Sequence, residues 1–393
     1  MKRIGPLEKK YVLEVLENEF RTSANSEFNT RLESQFAELF GSKYAIGFVN
    51  GTATLHTAIA ACGVKSGEEV VIPPLTMSSP ALSVLQNGSI PVFADVDRDT
   101  FNITAEGIKS VITEKTKAVM PVSLYGVSPD YDSILEVCKK NHLFLIEDNA
   151  ESFLNTYKGK LVGTFGDFAS YSFQASKHLT CGEGGMLITD NEALADRARK
   201  FSGLGYAGVS SSQRKITKKD IQDPSYNRHV SLGFNYRMSE LTAAVALGQL
   251  ERAEEIVNLR IKCAEMFSQT ISSSTSVIPQ KAPEGASNSY WTFAMVLNTD
   301  KPETDWYDFR NLFLENGGDS FYAAWKLSYM EPLFSETVQK DKNVWQKYEP
   351  GLCPNAEYLQ PRMIQLKTNY WDPAEAEKQA EVLHLTLKKW EAR

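Results

Sequence analysis

SKYAIGFVNGTATLHTAIAACGVKSGEEVVIP, residues 42–73, holds one complete strand–helix–strand unit. Tyr44 to Val49 is an apolar run of strand length. Asn50-Gly51-Thr52-Ala53-Thr54 follows, opening a helix of small residues that stops at Gly63. Glu69–Ile72 is then a second short apolar strand.

The same alternation extends in both directions. Upstream, Phe28, Leu32, Phe36 and Leu39 recur at helical spacing, and Gly41 ends that helix. Downstream, strands are predicted at Pro91–Ala94, Lys117–Val122, Leu143–Glu147, Phe168–Phe173 and Gly185–Thr189. Helices are predicted around Pro80–Gln86, Ala105–Ile112, Tyr131–Lys139 and Glu192–Phe201. Strand–helix alternation means an α/β fold with a mostly parallel sheet, here of seven strands sandwiched by helices. Such sheets bind ligands at the carboxyl ends of their strands.

Residues 203–237 break the rhythm with glycines, serines and little periodicity, so a functional loop is expected there. A long helix is predicted from Arg237 toward Phe267, with Ser239 as its cap. Beyond it, Ser289–Leu297, Ser320–Ala323 and Met363–Leu366 read as short strands. Asp372-Pro373 opens a final helix whose stripe is Ala380, Leu383, Leu387 and Trp390. The chain thus divides into a large α/β domain at 1–250, with an N-terminal helical segment, and a smaller α+β domain at 251–393. That division agrees with the prior for 393 residues at about 150 per domain.

Composition narrows the function. Hydrophobic residues at 42% and charged residues at 23% exclude a disordered or fibrous chain. The net charge of −7 gives no nucleic-acid or membrane-surface footprint. No apolar run is long enough to span a bilayer, and the basic start has no apolar segment behind it. Five scattered cysteines without a CxxC pair fit a reducing cytoplasm, and the five histidines show no metal spacing.

Three segments could carry chemistry. In Ser172-Phe-Gln-Ala-Ser176-Lys177-His178-Leu-Thr180-Cys-Gly182-Glu183-Gly184-Gly185, a lysine sits just past a strand among hydroxyls and glycines. A lysine amine forms Schiff bases with carbonyls, and small neighbours admit a planar cofactor. The same lysine also reads as an exposed loop residue beside a turn. In Ile146-Glu147-Asp148-Asn149-Ala150-Glu151, an acid ends an apolar strand. It either faces the ligand crevice, where it could hold a protonated ring nitrogen, or caps the next helix. Asn50–Thr54 is either an anion-binding helix start or an ordinary cap. Taken together, an anion turn, a strand-end acid and an amine are the parts that pyridoxal phosphate (PLP) needs.

From Phe28 to its end the chain resembles the DegT/DnrJ/EryC1/StrS family of PLP-dependent sugar aminotransferases, whose fold is that of aspartate aminotransferase. The marks are NGTATL at 50–55, VIPPLT at 71–76, PVFADVD at 91–97, IEDNAES at 146–152, SFQASKHLTCGEGG at 172–185, GFNYRMSE at 233–240 and CPNAE at 353–357. The resemblance implies that Lys177 carries the cofactor and shuttles protons, and that Asp148 pairs with the pyridine nitrogen. It implies that Thr52 and Ala53 bind the phosphate through their backbone, joined by the Ser172 hydroxyl. Asn235 matches an asparagine that reaches the phosphate of the neighbouring subunit, implying a homodimer with shared sites. Glu183 and the glycines after it match the loop beside the lysine.

Three positions depart from the family's pattern. Met77 stands near the place of an aromatic that stacks on the cofactor, where its sulfur can still contact a ring. Glu151 replaces the Gln or His beside the phenolic oxygen, and Ser123 replaces a histidine. The resemblance implies transfer of an amino group from L-glutamate or L-glutamine to the keto group of a nucleotide-linked deoxysugar, in amino-sugar biosynthesis for a surface polysaccharide or secondary metabolite. The alternatives are a cyclitol ketone as acceptor, or a PLP-dependent dehydratase or lyase. A non-catalytic regulator is disfavoured, because no basic or helix-turn-helix extension is present.

Weaker signals have plain readings. Gly203-Leu-Gly205-Tyr-Ala-Gly208 follows a helix, so the dinucleotide context of G-x-G-x-x-G fails. Arg214, Lys215, Lys218 and Lys219 could meet a diphosphate but read first as a solvated loop. Tyr290, Trp291, Tyr322 and Trp325 could line a sugar site, although packing is the default for aromatics.

Overall fold

Seven short strands build the main sheet: β1 (Tyr44–Phe48), β2 (Glu69–Ile72), β3 (Ile90–Phe93), β4 (Thr116–Val119), β5 (Phe144–Asp148), β8 (Phe168–Ser172) and β9 (Gly185–Thr189), with a two-stranded hairpin, β6 (Thr156–Tyr157) and β7 (Lys160–Leu161), between β5 and β8. The computed structural model describes residues 2–20, 27–213 and 216–393. The sheet order is β1-β9-β8-β5-β4-β2-β3. From β8 to β3 all neighbours are parallel, while β9 runs against both β8 and β1.

The parallel strands are short apolar runs because both their faces are covered. Side chains alternate between two packing layers. Val70, Ile72, Phe93, Ala118 and Ile146 pack among the helices Gly51–Ala61 and Ser79–Gln86. Val71, Val92, Val119 and Leu145 pack among the helices Ala105–Val111 and Tyr131–Asn141 on the opposite face. Helices Pro6–Glu17, Glu27–Phe40 and Glu240–Leu250 cover the β8–β9–β1 end.

A second sheet, order β10-β11-β12, comprises β10 (Val277–Pro279), β11 (Thr292–Leu297) and β12 (Met363–Lys367), all antiparallel. Its core includes Phe293, Met295, Ile364 and Leu366, packed on the helices Ala253–Ile271, Pro302–Glu315 and Pro373–Trp390.

Three expectations need correction. The long helix expected from Arg237 is two helices, Glu240–Leu250 and Ala253–Ile271. Arg252 leaves helical dihedrals at φ −118°, ψ 14°, and its guanidinium reaches the buried Glu8 at 2.8 Å. The break therefore anchors the N-terminal helix. Ser320–Ala323 is not a strand; it contributes a single bridge, Tyr322 to Gln365. Among its described residues the 203–237 loop contains a helical turn, Lys218–Gln222, started by a capping box between Thr217 and Asp220. Of the basic cluster, Lys218 and Lys219 are exposed on that turn, while Arg214 and Lys215 lie outside the described residues.

Candidate active site

Gly185 makes the site possible. As the first residue of β9 it pairs with Phe48 of β1 on one side and Ser172 of β8 on the other. The two strand ends therefore emerge side by side, one leading into Asn50 and the other into the lysine turn. A Cβ at Gly185 would lie 2.8 Å from the Asn50 carbonyl carbon, closer than carbon atoms pack.

Asn50 caps the helix Gly51–Ala61, its Oδ1 accepting from the Ala53 amide at 2.8 Å. Ala53 is buried behind the cavity wall, and its N–H is thereby spent inside the chain. That differs from its expected role as an anion donor. The amides of Gly51 and Thr52, as first-turn groups, have no intrahelical acceptor. Thr52 Oγ1 and Ser79 Oγ lie 2.8 Å apart beside them, and Ser172 ends β8 nearby. This end of the site is rich in donors and suits an anion.

A cavity of about 550 Å³ opens there, lined by Gly51, Thr52, Met77, Asp148, Glu151, Ser172 and Lys177 among others. Asp148 ends β5 and is buried at 3% exposure. Burial raises its pKa to about 6, against the hydrogen bond from the Ala150 amide (3.0 Å) and the Lys177 charge; the Glu151 charge raises it further. Lys177 Nζ donates to Glu151 Oε1 at 3.1 Å, and both side chains are largely buried. Glu151 Oε2 accepts from the Tyr125 amide at 3.3 Å. Met77 stands half exposed at the rim, its sulfur accepting from the Ser79 amide and hydroxyl at 3.2 and 3.0 Å. Ser123 does not line the cavity; it is fully buried and donates to Asn149 Oδ1 at 2.8 Å. Glu183 lines the rim.

Asn235 lies apart from this cavity in its own chain. It is exposed on the 203–237 loop, paired with Gly203 and accepting from Arg237 Nε at 2.9 Å. His178 points away from the site: its Nε2 lies 2.9 Å from the Ser289 carbonyl oxygen, and burial, with Arg260 nearby, pushes its pKa well down.

Two residues for which packing was the default reading belong to the site. Trp291 and Trp325 line the cavity, Trp325 at 67% exposure. The Trp291 ring face lies 4.4 Å from Lys177 Nζ. Their exposure depends on where a second sheet meets the first, which local pattern does not encode. Tyr322 is exposed in an adjoining cavity of about 520 Å³, together with Gln365 and Asn369. Tyr290 packs on Phe293, as aromatics do by default.

The residues present fit pyridoxal phosphate. Free helix-start amides and hydroxyls stand at one end, a buried carboxylate at the base, and a lysine amine on the wall. A strand-end cavity that brings an amine, a buried carboxylate and an anion-binding helix start together has the parts that group transfer through an amine requires. The chain belongs to the DegT/DnrJ/EryC1/StrS aminotransferase family, whose profile matches residues 2–385. It is an aminotransferase, and the aminotransferases of this family depend on PLP. GDP-perosamine synthase of Escherichia coli O157:H7 is 34% identical over 333 residues, 85% of either chain. GDP-perosamine synthase of Vibrio cholerae is 32% identical over 356 residues, 88% of this chain and 92% of the relative. The X-ray structure of the aminotransferase from Psychrobacter cryohalolentis superposes with a TM-score of 0.85 at 26% identity, covering 98% of this chain and 97% of the other. Among the described residues no helix is long and apolar enough to cross a membrane.

Proposed function

We propose that this aminotransferase moves the amino group of L-glutamate or L-glutamine to the keto group of a nucleotide-linked deoxysugar, using PLP held in the strand-end cavity. The observation that carries the reading is the convergence of Lys177, Asp148 and the Gly51–Thr52 helix start on one cavity. The GDP-perosamine synthase relatives support a sugar nucleotide as acceptor.

When bound, PLP supplies an electron sink for the carbanion left at the donor's α-carbon. Lys177 Nζ is the amine that would hold the cofactor covalently and, when free, the base that takes the donor's α-proton and, in the second half of the transfer, delivers a proton to the acceptor carbon. Asp148 holds a proton on the pyridine nitrogen. The Gly51 and Thr52 amides, with the Thr52, Ser79 and Ser172 hydroxyls, take the phosphate. Glu151 would meet the phenolic oxygen, and it keeps Lys177 Nζ in place when the amine is free. Met77 closes the outer edge. Residues 251–393, which we take as the smaller domain, bring Trp291 and Trp325 over the mouth and restrict water. Asn235 serves the phosphate of a second copy, so the working unit is a homodimer.

The visible absorption spectrum with added PLP, before and after excess L-glutamate, tests the reading. A band that forms and bleaches with glutamate is the expected result. A band that never forms in the folded protein overturns the assignment of Lys177. A band that forms but bleaches with neither glutamate nor glutamine favours a dehydratase or lyase. Lys177→Ala should form no covalent band and lose all turnover. Full transaminase activity in that variant would sink the proposal.

A further inference from the structure

Among the described residues, Arg260 is the one buried cation whose partners converge on the lysine turn. It lies in the helix Ala253–Ile271 at 2% exposure. Nη2 donates to the carbonyl oxygens of Ser176 (3.4 Å) and Lys177 (3.1 Å), and Nη1 to the Trp291 carbonyl (2.7 Å) and Thr368 Oγ1 (3.2 Å). None of these acceptors is a carboxylate. A buried cation held only by neutral groups is expensive to keep. Burial lowers its pKa to about 9, which leaves it charged at neutral pH.

The Trp291 indole N–H donates to the same Ser176 carbonyl at 2.9 Å. Its ring faces Lys177 Nζ and stacks on Tyr125 at 6.2 Å and 10°. Tyr125, at φ +60°, donates its amide to the Glu151 carboxylate that receives Lys177 Nζ. The contacts close a ring: amine, Glu151, Tyr125, Trp291, and back to the backbone of Ser176 and Lys177. Arg260 ties the two backbone ends of that ring together.

We propose that Arg260 is a positioning residue for Lys177. It locks the lysine turn and the Trp291 segment to each other, so that the amine meets the cofactor from one fixed direction. This rests on the reading of Lys177 as the cofactor amine. A misplacement of about 1 Å at a reacting centre costs up to roughly a hundredfold in rate.

Arg260→Lys, Arg260→Met and Trp291→Phe, each in the full-length protein loaded with PLP, test it. Four readouts are needed: absorbance of the bound cofactor, its induced circular dichroism, the single-turnover rate of bleaching by L-glutamate, and the melting temperature without PLP. At equal PLP occupancy, Arg260→Met should bleach roughly ten- to a hundredfold more slowly, with altered dichroism. Arg260→Lys should recover most of the rate. Trp291→Phe, which keeps a ring but loses the N–H, should fall between. If Arg260→Met does not fold, Trp291→Phe carries the test. Wild-type dichroism and bleaching in a folded Arg260→Met, or in Trp291→Phe where Arg260→Met does not fold, would overturn the proposal, as would losses that track only the fraction unfolded. Failure of the wild-type protein to capture PLP would instead strike the assignment of Lys177.

Discussion

Asp148 pays the desolvation cost of its place at the end of β5 in every state where it is ionised. Its pKa in the fold, about 6, lies above the ordinary carboxylate value, because burial outweighs the Ala150 amide and the Lys177 charge. Below pH 4 the carboxyl is protonated in both folded and unfolded chains and contributes no difference. Between pH 4 and 6 the folded state keeps a proton that the unfolded state has lost, so stability falls as pH rises. Above pH 6 the full penalty is present, roughly 3 kcal/mol for a shift of about two units. Asp148→Asn without PLP should therefore melt as high as the parent at pH 4 and higher at pH 7. Melting curves across that range check it, and an unchanged pH slope would refute the account. The same variant should lose nearly all turnover, since a neutral amide cannot hold a proton on the pyridine nitrogen. Gain in stability with loss of activity marks a residue kept for chemistry. Lys177→Ala has a different signature, because it leaves Glu151 buried at 5% exposure without its ammonium partner.

At the scale of elements, the site is a meeting of strand ends, and Gly185 sets their distance. Gly185→Ala pushes a methyl into the Asn50 carbonyl, and a Cβ added at Gly51 would likewise lie 2.9 Å from the Ser172 Cβ. Gly185→Ala should destabilise the fold by about 1–3 kcal/mol and weaken PLP binding, through displacement of the Gly51–Thr52 amides. Chemical denaturation and a PLP titration measure the two effects, and normal PLP affinity would show that the turn tolerates the shift. Asn50→Ala, which removes the cap on Ala53, should cost about 1 kcal/mol. Much of this frame was legible in the sequence. The β2 run Glu-Val-Val-Ile, the cap at Asn50 and the acid at the end of β5 all follow from local chemistry. The break at Arg252 was not legible, because the partner its guanidinium reaches is Glu8, far away in the chain. Nor was the use of the Ala53 amide, since resemblance carries a backbone role but not the hydrogen bond that occupies the atom. Trp325 and Arg260 were hidden for a similar reason. Their surroundings are assembled from β11, β12 and the lysine turn, and no window of neighbouring residues contains all three.

For the whole molecule, the decisive fact is that Asn235 is exposed and outside the cavity of its own chain. If it serves the phosphate of a second copy, each active site draws Lys177 from one protomer and Asn235 from the other. Two impaired variants then complement each other. Lys177→Ala cannot hold the cofactor covalently, and Asn235→Ala should bind PLP weakly enough to be silent at limiting PLP. A mixed dimer has one site lacking both residues and one with both intact. Random exchange of equal amounts makes half the dimers mixed, with one working site in two, so activity should recover to about a quarter of the parent's. The measurement is turnover after unfolding and refolding the two variants together, against each refolded alone. Recovery near that level requires shared sites. Activity no greater than the sum of the separate variants, with mixed dimers demonstrated by mass, would mean that each protomer completes its own site and that Asn235 has another role.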